Sequence, residues 1–224
     1  MGYGVRLQVW GEYACFTRPE MKAERVSYDV ITPSAARGVL EAIHWKPALR
    51  WVVDRIHVLN EIRFDTIRRN ELESKISAGA IKSAMKGTKL MGQQVITEER
   101  QQRATMMLRK PSYLIEAHFE LTSVAGETDT AEKHYNMFIR RARQGQCFHR
   151  PYLGCREFDA HFAYVEDDEV LPDSFYCDAT DMDLGWMLWD MEYSREMEPL
   201  FYRPVMHQGI IEVPDLLREG VKPL

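Results

Sequence analysis

Two short segments hold the residue types worth testing first. Lys133 and His134 stand side by side in AEKHYNMFIRRARQG, near the start of a predicted helix. His44 and Lys46 stand in HWKP, at the end of another. A metal-independent cut in an RNA backbone needs a base for the 2′-hydroxyl proton, a cation to steady the pentavalent phosphate and an acid for the leaving 5′-oxygen. Imidazole suits the proton transfers because its ordinary pKa is about 6.5. Lysine suits the phosphate as a compact charge, and a helix N-terminus itself favours phosphate. Neighbours on a helix point about 100° apart, so Lys133 and His134 could flank a ligand rather than stack. Plainer alternatives stand beside this reading. The Lys-His pair is equally an exposed pair on a solvated helix, and His44 could simply cap its own helix through the dipole.

These residues need elements to position them. GVRLQVW alternates Val5, Leu7 and Val9 to one side, which predicts a half-buried strand. TPSAARGVLEAIHWKP reads as a helix with Thr32 as N-cap and Pro33 in the first position. Ala36, Val39, Leu40 and Ile43 form its apolar face, and Pro47 should stop it near Lys46. LRWVVDRIHVLNEIRFDTI reads as one long strand. From about Asp65 to Pro111 the chain is polar and basic with little periodicity, an inserted hairpin or mobile loop. SYLIEAHFELTS alternates again and predicts a strand. The helix carrying Lys133 and His134 has Asp129 or Thr130 as N-cap, Gly145 as its stop, and Ala131, Tyr135, Phe138 and Ala142 as its buried stripe. Arg140, Arg141 and Arg143 fill its last turn, where the dipole favours cations. CREFDAHFAYV, alternating Phe158, Ala160, Phe162 and Tyr164, predicts a final strand.

The order is strand, helix, strand, insertion, strand, helix, strand. That is the βαββαβ order of an α+β, ferredoxin-like (RRM-like) domain, and a sheet of this kind also serves as an RNA-binding platform. The expected division is residues 1–165, with an insertion at about 65–111, followed by a small β-rich C-terminal part at 166–224. Two helices lying side by side on one face would bring HWKP beside EKHY. Two histidines and two lysines at one spot are more specific than either segment alone.

The chain has 224 residues and a formal net charge of -5, but its charge is uneven. From Ile81 to Lys110 seven Lys or Arg face two acids, whereas from Glu157 to Leu200 fourteen acids face one base. A chain of this kind can present a basic face while staying acidic overall. The four cysteines form no C-x-x-C pair and read as reduced thiols of a cytoplasmic protein. No HxH, HExxH, P-loop, GxGxxG or GxSxG is present, so neither a metal nor another cofactor is expected. His57, His118, His149, His161 and His207 fall in strands or turns and are weaker candidates. There is no stretch of about 18 apolar residues, so no membrane partner is expected.

RLQVWGEYACFTRPEMKAERVSYDVITPSAARGVLEAIHWKPALRWVVDRIHVL, SYLIEAHFELT, EKHYNMFIRRARQGQCFHRPYLGCREF and PLFYRPVMHQGII together resemble the CRISPR-associated Cas5 family in its type I-C (Dvulg) subtype. The resemblance runs along nearly the whole chain and is weakest in the insertion and the acidic segment. It implies a precursor-crRNA endoribonuclease that cuts at the base of the repeat hairpin without metal. The products would carry a 2′,3′-cyclic phosphate and a 5′-hydroxyl. The protein would then stay on the 5′ handle of the mature crRNA in the Cascade surveillance complex, beside its backbone and large subunits.

The resemblance carries catalytic roles to Lys133 and His134. It departs at His44, where some relatives have tyrosine before WKP. His44 and His134 would then share the proton transfers while Lys133 stabilises the phosphorane. Lys46, Arg103, Arg109, Arg140 and Arg141, with the basic stretch 82–110, would grip RNA phosphates. Double-stranded DNA stays open as a further partner. Two competing readings are a non-catalytic RNA-binding structural subunit of the complex and an RRM-like module unrelated to CRISPR.

Overall fold

The computed structural model describes residues 4–21, 23–87, 94–193 and 197–216. The elements run β1 (Gly4–Trp10), β2 (Tyr13–Ala14), β3 (Arg25–Val26), α1 (Pro33–Ile43), β4 (Leu49–Val58), β5 (Phe64–Leu72), α2 (Ala78–Met85), β6 (Arg100–Arg109) and β7 (Ser112–Leu121). They continue with α3 (Ala131–Arg143), β8 (His161–Tyr164), β9 (Met182–Asp183), β10 (Met187–Glu192), β11 (Glu198–Tyr202), β12 (Val205–Met206) and β13 (Ile210–Glu212).

The main sheet has the order β13-β4-β7-β1-β8, and every neighbouring pair is antiparallel. Strand alternation decides which side is buried. Val5, Leu7 and Val9 of β1 and Ile115 and Ala117 of β7 enter the core with Val39, Leu40 and Ile43 of α1 and Phe138 of α3. The opposite face carries charged pairs, such as Arg55 with Glu116 and His118 with Asp54. α1 packs on β4 and β10, α3 on β8, and the two helices touch each other. Arg37 of α1 forms a two-pronged ion pair with the buried Asp190 of β10, which ties the C-terminal strands to α1.

The starts of both helices follow local chemistry. Thr32 Oγ1 accepts the Ala35 N–H at 3.2 Å, ahead of Pro33 in the first turn. Thr130, rather than Asp129, caps α3 and accepts the Lys133 N–H at 3.3 Å. α1 stops at Ile43, three residues before Lys46, because His44 adopts extended backbone at φ -152 and ψ 115.

The long strand expected from Leu49 onward divides. The chain leaves the main sheet after Val58 and enters a second sheet at Phe64. There β5 pairs with β6 along its length, β6 also pairs with β2 and β3, and α2 lies between β5 and β6. The insertion is thus a paired hairpin, although residues 88–93 of the basic stretch lie outside the described residues. The last strand of the first part is shorter than expected. Phe158 and Ala160 are buried but sit in a turn closed by Leu153 N–H donating to Phe158 O at 2.8 Å, and β8 begins only at His161. β13 joins the main sheet beside β4, so the chain's end contributes a fifth strand. Among the described residues no helix is long and apolar enough to cross a membrane.

Candidate active site

The end of α1 lies across the face of α3 between His134 and Arg141. His44 Nε2 and His134 Nδ1 are 3.0 Å apart, and the rings lie face to face with centroids 5.3 Å apart. Both rings are enclosed, with His44 1% and His134 0% exposed. His44 is the residue that ends α1, and its backbone is pinned at both polar groups. Its N–H donates to Leu40 O at 3.0 Å, and its carbonyl accepts the buried Trp51 Nε1–H at 2.9 Å. His134 occupies the first turn of α3, and its Nε2 lies 3.2 Å from Asp129 Oδ1.

Lys133 and His134 face different surroundings. The Lys133 side chain is exposed, donates from Nζ to Thr128 O at 2.9 Å and lies 3.8 Å from Asp129. Lys46 is exposed in the turn that follows His44. Arg141 turns inward rather than out to solvent. Its Nη1 donates to Ile43 O at 2.8 Å and lies 3.3 Å from His44 Nδ1. Arg140 is exposed on the last turn of α3. Arg103 and Arg109 stand apart on β6, where Arg103 pairs with Glu71 at 3.4 Å and Arg109 ends the strand.

The structure therefore gathers His44, His134, Lys133, Lys46 and Arg141 at one place and leaves Arg103 and Arg109 on the hairpin. Two contributions escaped the sequence. Asp129 stood there only as a possible cap, and Arg141 only as a phosphate contact. The signal for Asp129 was its place just before the helix, but its partner is set by the turn at Gly126. The Gly126 N–H donates to Asp129 Oδ2 at 3.2 Å and steers the other oxygen toward His134.

Electrostatics hold this cluster in a defined state. Burial, then the Arg141, His134 and Lys46 charges, push the His44 pKa down to about 4. The Gly126 N–H, with help from His134 and Lys133, holds the Asp129 carboxyl below the usual carboxylate range. A pH dependence of stability follows. Between about 6.5, the unfolded value, and about 4, the unfolded chain binds a proton at His44 that the folded chain refuses. Stability from this residue is fully present above 6.5 and falls as pH drops through that window. The urea midpoint should decline from pH 7 to pH 4, and the decline should be shallower in His44→Phe.

The chain belongs to a family of CRISPR-associated proteins. A solved structure described as a CRISPR-associated protein matches with a TM-score of 0.70 at 23% identity, over 94% of this chain and 91% of that one. More particularly, the chain belongs to the Cas5d family, whose model, described as CRISPR-associated protein (Cas_Cas5), matches residues 4–214. A protein of Mannheimia succiniciproducens named CRISPR pre-crRNA endoribonuclease Cas5d is 52% identical over 99% of this chain and 100% of its own length. One of Thermus thermophilus with the same name is 39% identical over 94% of this chain and 91% of its own.

Proposed function

We propose that this chain is a metal-independent endoribonuclease that cuts the repeat hairpins of precursor crRNA. The observation that carries the reading is the approach of His44 and His134 to 3.0 Å from segments 90 positions apart. The names borne by the near-full-length relatives supply the substrate class.

One imidazole takes the 2′-hydroxyl proton, the 2′-oxygen attacks phosphorus, the bond from phosphorus to the 5′-oxygen breaks, and that oxygen leaves with the proton the hydrogen-bonded histidine pair has just gained. Lys133 steadies the charge that builds on the phosphorane. The products are a 2′,3′-cyclic phosphate and a 5′-hydroxyl. Lys46 and Arg141 near the pair, Arg140 on the last turn of α3, and Arg103 and Arg109 on the hairpin contact RNA phosphates, and binding weakens as salt rises.

After cutting, the protein holds the 5′ handle in a type I-C Cascade complex in the cytoplasm. The strand order β8-β1-β7-β4, with α1 and α3 as its crossovers, supports a ferredoxin-like reading of residues 1–165. The strand pairs β10-β11 and β9-β12 support a β-rich part at 166–224.

One observation favours a second reading. Both imidazoles are enclosed and already hydrogen bonded, as a structural pair in a non-catalytic handle-binding subunit would be. Incubation of the protein with its cognate repeat RNA in EDTA separates the two. The first reading expects cleavage, a cyclic phosphate on the upstream fragment and a bell-shaped pH profile. Binding without cleavage would establish the second. Within the first reading, His44→Ala should lower the single-turnover rate about 10²-fold, and an unchanged rate would remove His44 from the chemistry.

A further inference from the structure

The four groups Asp129, His134, His44 and Arg141 form a chain of hydrogen bonds at 3.2, 3.0 and 3.3 Å. Its two ends have fixed characters. A carboxylate only accepts, and a guanidinium only donates. Asp129 therefore requires a proton on His134 Nε2. In a neutral ring this leaves Nδ1 as an acceptor, which requires a proton on His44 Nε2. His44 Nδ1 is then an acceptor, and that is what faces Arg141 Nη1. Every link is satisfied in this one arrangement.

Adding a proton breaks the chain. An extra proton on His44 Nδ1 points at the Arg141 donor. An extra proton on His134 Nδ1 displaces the His44 proton from Nε2 to Nδ1, with the same collision. Donor against donor in a closed site is costly. The other charges facing the pair are Lys133, beside Asp129, and Lys46, in the turn after His44. Both are cationic and oppose a proton as well.

We propose that Asp129 and Arg141 are positioning residues that fix both imidazoles as neutral Nε2–H tautomers, with Arg141 acting as a latch on His44 Nδ1. The proposal rests on the nuclease reading for its purpose. An RNA phosphate that draws Arg141 away from His44 would expose the one basic nitrogen in the chain next to the bound backbone. Base activation would then be coupled to correct placement of the scissile group. Asp129, at the far end, keeps the orientation from reversing.

The test uses the full chain labelled with nitrogen-15 histidine. Long-range proton–nitrogen spectra at pH 7 should show both rings protonated at Nε2 and bare at Nδ1. An Nδ1–H tautomer or a charged ring at either position would overturn the proposal. In Asp129→Asn the Gly126 N–H still claims an oxygen, so the amide donor turns toward His134 and its tautomer should switch. Turnover of repeat RNA should fall about 10²-fold while KM changes less than about twofold, the pattern of a misoriented imidazole. A variant that loses activity with both tautomers unchanged, or keeps full activity, would show Asp129 to be structural only and overturn its assignment. In Arg141→Met, His44 should take up its proton at least about one pH unit higher than in the wild type. An unmoved titration would overturn the latch. A wild type that does not cut RNA would overturn the nuclease reading, and the spectra would still decide the tautomers.

Discussion

His134→Ala is expected to lower the single-turnover rate of repeat cleavage by about 10³-fold, within the range for losing a positioned acid or base, while RNA affinity stays within about twofold of wild type. The size follows from where the ring sits. Its ring touches both His44 and Asp129, so its loss removes one proton carrier and disconnects the other from its orienting carboxylate. Affinity is spared because the ring is fully enclosed, and phosphate contacts come from exposed cations such as Lys133, Lys46 and Arg140.

The same substitution has a folding cost. It empties a buried site and leaves the His44 Nε2–H without its partner, worth about 1–3 kcal/mol. Rates should therefore be compared below the melting transition of the variant, with RNA binding measured on the same sample. A folded His134→Ala protein that cuts at the wild-type rate would remove His134 from the mechanism. A variant that neither folds nor binds calls for His134→Gln, which keeps polar atoms in the pocket but cannot relay a proton at neutral pH.

His134 also shows where sequence reading stops. The stripe expected on α3 was Ala131, Tyr135, Phe138 and Ala142. The helix instead buries His134, Phe138, Ile139 and Ala142, with Ala131 and Tyr135 at the margin. Periodicity ranks a histidine as polar and turns the face away from it. What makes burial affordable is a pair of partners, one a few residues upstream and one 90 positions away, and a local pattern cannot contain the second. The helix starts were legible because caps are local, and Thr32-Pro33 and Thr130 act within one turn. The strands with one apolar face were legible for the same reason.

β5 was not legible. Its residues alternate between exposed and half-buried positions with none fully buried, so there is no apolar row to read. Its pairing with β6 across α2 decides its structure. β13 depends likewise on an edge left open by β4, on the far side of the chain. The convergence of HWKP and EKHY was inferred from element order. The order placed α1's end near α3's start, and the structure sets it across the span from His134 to Arg141.

The segment that follows α3 yields the largest expected effect on folding. Gly154→Ala should cost about 3 kcal/mol or more, enough to leave much of the protein unfolded or insoluble. Gly145→Ala should cost only about 1–2 kcal/mol. Both glycines have left-handed backbone, with φ +82 at Gly154 and +64 at Gly145, so both variants carry the strain of a Cβ in that region. They differ in what the Cβ meets. At Gly145 nothing lies within 4 Å, whereas at Gly154 the new carbon would overlap the Cys15 carbonyl, with Phe16 Cδ1 at 3.1 Å.

Backbone cannot yield there as a side-chain tip can. Cys15 N–H donates to Leu153 O at 3.1 Å, and Leu153 is itself fully buried. Nor can the loop retreat. Its first residues are tied to the end of α1 by the Phe148 N–H, which donates to Ala42 O at 2.8 Å, two positions before His44. A loop pushed off Cys15 would therefore pull on the turn that seats the histidine pair. Thermal melts of the two single variants decide the point. A Gly154→Ala protein no less stable than Gly145→Ala would mean that the contact with Cys15 is not held as described. A large gap between them would show that the loop after α3 is locked to Cys15, just after β2.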